Sequence, residues 1–209
     1  YLFVDLSADN STSINSKGQQ LLINATAYLK KGGNFVKPTF ELNASGAVVE
    51  NSAQLVMAAN YDYGVLNLTT PVIKMKTSTD AGAVYTIPAE FGFGGNNITF
   101  QANSSDDQVV VCGMMADTEK LNATHLTFKN ITFKQAAGQT AVLSLKKNDK
   151  VRDELKFDNC TFEAVNEGFI ALAGDSIQVK TITLNNCLCD GVDVATLINV
   201  EGAAIHCNT

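Results

Sequence analysis

Three copies of one segment, LTFKNITF at 126–133, LKFDNCTF at 155–162 and ITLNNCLC at 182–189, constrain this chain more than any other feature, because their starts lie 29 and 27 residues apart. A weaker copy, ITFQAN from Ile98, begins 28 residues before the first. A period of this size marks units that cannot bury their own apolar faces and must stack on one another. Each copy opens with period-two alternation: Leu126 and Phe128, Leu155 and Phe157, and Ile182 and Leu184 flank Thr127, Lys156 and Thr183. Each is therefore a strand with one buried face.

An asparagine follows each strand at one fixed position, Asn130, Asn159 or Asn186, and a second apolar pair comes next: Ile131 with Phe133, Cys160 with Phe162, Cys187 with Cys189. Asparagine tolerates left-handed backbone, and its amide can bond a copy of itself one unit on. This column predicts a sharp corner with a buried Asn ladder, beside an inner column of Phe128, Phe157 and Leu184. A further strand class, AVLSL at 141–145, GFIAL at 168–172 and ATLINV at 195–200, recurs every 27 residues, with polar corners at 137–139 and 174–176. Two or three short strands per unit make one coil of a parallel β-helix.

The strings F-K-N-I-T-F around Asn130, F-D-N-C-T-F around Asn159 and L-N-N-C-L-C around Asn186 resemble the pectin-lyase-like right-handed parallel β-helices, especially the β-helical domains of secreted bacterial surface proteins. The resemblance covers residues 84–209 and implies an all-β, right-handed parallel β-helix (solenoid) of about four coils. It also implies a secreted or cell-surface location. It carries fold rather than activity, since the repeat encodes stacking and not chemistry.

Residues 1–80 lack the period. Strand-like runs LFVDL, LLINATAYL, PTFELNA, AQLVMAA, GVLNL and PVIKMKT, separated by turn signals, predict a smaller β-rich domain or cap, sandwich-like in character. The best helical stretch, Ala53 to Asn60, is short. The boundary is expected at 77–82, with the β-helix over 81–209; the alternative is one β-helix from the start, with irregular early coils. The chain opens on YLFVDL, which reads as a processed or truncated product, and no cap is visible near Thr209, which leaves the last coil open to end-to-end self-association.

Formal net charge is −6, and Arg152 is the single arginine, which opposes nucleic-acid partners. No apolar run approaches the roughly 18 residues that span a bilayer, so no membrane insertion is expected. Cys112, Cys160, Cys187, Cys189 and Cys207 lack the spacing of a disulfide framework and read as reduced thiols, with a Cys160–Cys187 bond within one column of the repeat as the alternative; Cys187, Cys189, His206 and Cys207 match no standard zinc pattern. Nine N-x-S/T sequons, at Asn10, Asn24, Asn43, Asn67, Asn97, Asn103, Asn122, Asn130 and Asn159, follow from an Asn- and Thr-rich composition; the last two are expected to be buried at the corner.

Enzymes on this fold carry carboxylates and a basic residue in a long groove on one outer face, as the resemblance implies. Lys134, Glu163 and Asp190 fall near one corner of successive coils. There is no paired-Asp motif, no Gly-His-Gly and no Arg-x-Lys, so neither a lyase base nor a glycosidase carboxylate pair stands out. No nucleophile motif supports His125 or His206, and the glycines at 92, 94 and 95 precede no helix, so they form a turn rather than a phosphate loop. Tyr61, Tyr63 and Tyr85 could stack on sugar rings. The expectation is a non-catalytic module, needing no cofactor or metal, that binds polysaccharide or serves as a structural or adhesive domain. The alternatives are a lyase or hydrolase acting on an acidic polysaccharide, and a self-assembling fibre, filament or phage-appendage subunit.

Overall fold

In a computed structural model the described residues are 23–25, 39–87, 97–113, 122–135, 142–145, 150–163, 170–173, 178–190 and 198–201. They form a mostly β protein with parallel sheets. The first sheet holds β1 (Glu41–Asn43), β2 (Gly46–Val49), β3 (Val72–Met75), β5 (Asn97–Ala102), β7 (Asn122–Lys129), β10 (Lys150–Asp158) and β13 (Gln178–Asn185), in that spatial order. The second holds β4 (Val84–Thr86), β6 (Val110–Cys112), β8 (Thr132–Lys134), β11 (Thr161–Glu163) and β14 (Leu188–Asp190). The third holds β9 (Leu143–Leu145), β12 (Ile170–Ala173) and β15 (Ile198–Glu201). From β7 to β15 the chain visits the three sheets in turn, and each strand pairs in parallel with its counterpart one repeat later. Only the β1–β2 hairpin is antiparallel among these pairings.

The alternation read from sequence sets the core. Ile73, Phe100, Phe128, Phe157 and Leu184 are successive register partners across the first sheet, and Tyr85, Val111, Phe133 and Phe162 across the second, whose last partner, Cys189, is exposed and not the buried apolar residue expected. Within a column the rings stack: Phe128 lies 5.1 Å from Phe157 at 19°, and Phe133 lies 5.5 Å from Phe162 at 17°. Between columns they meet edge to face, as in Phe128 with Phe133 at 5.5 Å and 85°. Aromatic pairs prefer both arrangements, so the two sheets lock over one interior.

At the corners Asn130, Asn159 and Asn186 adopt φ of 55°, 51° and 50°, the left-handed conformation. All three are exposed, which corrects the expected burial of the ladder and of the sequons at Asn130 and Asn159. The physical reason lies in the backbone. The N–H of Asn130 donates to the Asp158 carbonyl (3.0 Å) and that of Asn159 to the Asn185 carbonyl (2.9 Å), so main chain links successive corners and the side chains are free to face water. The adjacent Cys160 is buried, Cys187 is half-buried, and both are free thiols. Burial pushes the Cys160 thiol up to about 12.

Ahead of this repeat the described residues depart from a sandwich. β2 and β3 belong to the same sheet as β5, so that sheet crosses the boundary expected at 77–82. AQLVMAA, read as strand-like and also as the best helical stretch, lies within α1 (Ser52–Ala59), and GVLNL begins in a 3-10 turn over Tyr63–Leu66. Asn51 starts the helix: its side chain accepts from the Gln54 N–H at 2.9 Å. Leu55, Ala58 and Ala59 then fall on one buried face at helical spacing. Residues 23–25, inside LLINATAYL, are helical. The run at 2–6, the corners at 137–139 and 174–176, the glycines at 92–95, His206 and Cys207 lie outside the described residues.

Candidate functional site

β8 and β11 each have three residues, and their central phenylalanines point inward, so Thr132 and Lys134, and Thr161 and Glu163, face outward. These four, with Val110 of β6, floor a groove of about 550 Å³ on the outer face of the second sheet. Asn130 and Asn159 contribute from the corners, and Asp107, Gln108 and Val109 from the turn that precedes β6. The register is strict: Thr161 opposes Thr132, Glu163 opposes Lys134, and Asp190 opposes Glu163. An outward pair of polar groups therefore recurs from β8 to β11 at the strand spacing of about 4.8 Å, while Val110 and Leu188 take the threonine position on β6 and β14.

Charges in the groove are already engaged. The Lys134 ammonium lies 2.8 Å from the Glu163 carboxylate. Asp107 accepts the Thr77 N–H (2.8 Å), the Ser104 hydroxyl (2.7 Å) and the Asn103 amide (3.3 Å). The Ser104 hydroxyl, then the Thr77 N–H, hold its carboxyl below the usual range, so it is a fixed negative charge at neutral pH.

Lys134, Glu163 and Asp190 thus share one column, while the tyrosines lie elsewhere. Tyr63 and Tyr85 are buried, which corrects their reading as exposed sugar platforms. The Tyr63 hydroxyl donates to the Ala58 carbonyl at 3.0 Å; that of Tyr85 lies 2.8 Å from the Lys76 carbonyl and 3.1 Å from that of Val49. Burial raises the pKa of both. Tyr61 is half-buried and packs edge-on against Phe40 and Tyr63. Sequence reasoning missed Asp107, Gln108, Thr132 and Thr161. The threonines carried a signal, since each stands two residues past the corner Asn and alternates with an inward Phe; Asp107, in a turn outside the repeat, carried none.

A second polar cluster occupies the outer face of the first sheet, where β10 has one more residue than its neighbours between Val151 and Glu154. Such a bulge re-aims a side chain. Asp153 lies 2.9 Å from His125 Nε2 and 2.8 Å from the Lys180 ammonium, while His125 Nδ1 faces Asn97 Oδ1 at 3.2 Å. Lys180, then His125, hold the Asp153 carboxyl below its ordinary range. Both imidazole nitrogens are occupied by neighbours, so the cluster ties strands together and presents no free base. Among the described residues no group of three or more His, Cys, Asp or Glu side chains is placed to hold a metal ion.

Parallel sheets joined by a stacked repeat, with a polar groove on one outer face, define the class of this protein. Within that class, residues 83–207 match the family model described as a domain of unknown function, DUF4957, and because the match covers more than half of the chain, the chain belongs to that family. No curated protein and no solved structure matches it. Among the described residues no helix is long and apolar enough to cross a membrane.

Proposed function

We propose that this chain is a right-handed parallel β-helix module, secreted or displayed at a cell surface, that binds a polysaccharide without cleaving it. The in-register return of the chain to three parallel sheets and the resemblance to pectin-lyase-like helices support the fold reading. One observation carries the binding reading: a groove lined by amides and hydroxyls that recur on two adjacent strands, β8 and β11, with an ion pair between them. A ligand that is itself a repeat can meet equivalent groups at each step. Affinity electrophoresis of the whole chain in gels containing plant, host or microbial polysaccharides tests this. Retardation by at least one polymer, reduced in Thr161→Val, is the expected result; no retardation by any of them removes the reading.

The column of Lys134, Glu163 and Asp190 favours a second reading, a lyase or hydrolase for acidic polysaccharide. Against it stands the Lys134–Glu163 ion pair, which occupies the ammonium that would stabilise a substrate carboxylate. Release of new reducing ends or unsaturated products from polygalacturonate, lost in Lys134→Ala, would establish this second reading.

A further inference from the structure

If the groove is a polysaccharide site, as proposed above, its charges select the class of polymer it takes. Among the described residues the lining holds two carboxylates, Asp107 and Glu163, against one ammonium, Lys134. That ammonium is committed to Glu163, and Asp107 is saturated by donors from its own turn and from Thr77, so its charge persists without a counter-cation. A uronate or sulfate group entering here would find, among the described residues, no free cation and one fixed carboxylate. Like charges brought together at a binding surface are strongly disfavoured. A hydroxyl-rich neutral sugar meets the opposite situation. Asn130 and Asn159 are exposed, and each amide carries both donors and an acceptor; Thr132 and Thr161 carry hydroxyls that do both. Thr132 and Thr161 are register partners on adjacent strands, and Asn130 and Asn159 each follow the last register pair of β7 and β10, Lys129 with Asp158, so the four side chains form two rows crossing the strands.

We propose that the groove over β6, β8 and β11 binds an uncharged polysaccharide whose chain crosses the strands, its hydroxyls read by the Asn130–Asn159 and Thr132–Thr161 rows, and that it discriminates against acidic polymers. Among the described residues no aromatic side chain lines the groove, so recognition by the described lining is by hydrogen bonding and not by ring stacking. Water competes well for such contacts, and the affinity for each sugar unit is low; length of polymer supplies the rest.

The test measures binding of the whole chain to a neutral β-glucan, a neutral galactomannan and polygalacturonate, all in chelator so that no divalent ion bridges carboxylates. At least one neutral polymer should bind about tenfold or more tightly than polygalacturonate at low salt, a gap that narrows as salt rises. Thr161→Val and Asn159→Gly should each weaken neutral binding several-fold with the circular dichroism spectrum unchanged, since valine keeps the strand shape and glycine keeps the left-handed corner. Glu163→Gln, which releases Lys134, should narrow the gap by raising affinity for polygalacturonate. Polygalacturonate binding as tightly as the neutral polymers, and weakened by Thr161→Val, overturns the charge inference and leaves the site standing. Binding of none of the polymers, or neutral binding indifferent to both Thr161→Val and Asn159→Gly, overturns the groove itself.

Discussion

A left-handed corner asks much of its backbone and little of its side chain. At Asn159 the φ of 51° and the N–H donated to Asn185 are what the next repeat uses, while the amide faces solvent. Glycine meets that demand without steric cost, whereas a leucine there incurs the clash of Cβ with backbone, about 1–2 kcal/mol. We therefore expect Asn159→Gly to unfold within about 0.5 kcal/mol of the parent and Asn159→Leu about 1 kcal/mol earlier, read from denaturant midpoints. A loss of about 3 kcal/mol in both variants would mean that the amide, and not the dihedral, is the essential part. The fixed Asn position and its conformation were legible because few residues accept positive φ. Its exposure was not, since period-two alternation stops at the corner and says nothing about which way a left-handed residue points.

At the scale of elements, polar side chains reach across repeats to hold turns. Ser52 donates its N–H (2.8 Å) and hydroxyl to Asp80, and Thr77 donates its N–H to Asp107. Hydrogen bonds from Ser52 lower the Asp80 pKa, as those from Ser104 and Thr77 lower that of Asp107. A depressed carboxyl contributes stability that is present above its unfolded value of 3.8 and is lost as pH falls through the lower folded value, because the unfolded chain takes up protons first. The thermal midpoint should hold above about pH 4 and fall toward pH 2, and Asp107→Asn should lower the midpoint at pH 7 while flattening that decline. A parent decline no steeper than that of the variant would refute it. Tyr85 does similar work inside. Tyr85→Phe leaves the Val49 and Lys76 carbonyls without their hydroxyl partner and should cost about 1–3 kcal/mol in denaturant unfolding, whereas an exposed tyrosine would cost almost nothing. The burial of Tyr85 escaped sequence reading, and α1, the best helical stretch in the sequence, could not be told there from a strand. Tyr85 is buried through a contact to Val49, 36 residues away, and an eight-residue helix is too short for its period to stand out from a strand's.

At the scale of the whole molecule, stacking begins before the family match does. The match opens at residue 83, but β5 pairs with β3 through Thr99 with Val72, Phe100 with Ile73 and Ala102 with Met75, and β3 pairs in turn with β2. The Asn103 N–H donates to the Met75 carbonyl at 2.7 Å, and Tyr85 reaches back to Val49 and Lys76. The sequence showed a boundary near residue 80 because side-chain period is lost there; a parallel ladder is made by backbone, which any sequence supplies, so the sheet continues where the pattern fades. Cutting the chain at residue 83 would uncover Phe100 and leave β5 as a bare parallel edge, the geometry that invites aggregation. A fragment of residues 83–209 should therefore be recovered aggregated or unfold far below the whole chain, judged by size-exclusion chromatography and calorimetry. A monomeric 83–209 fragment melting at the parent temperature would show instead that residues 1–80 and 81–209 are separate domains and that the shared sheet contributes little to either.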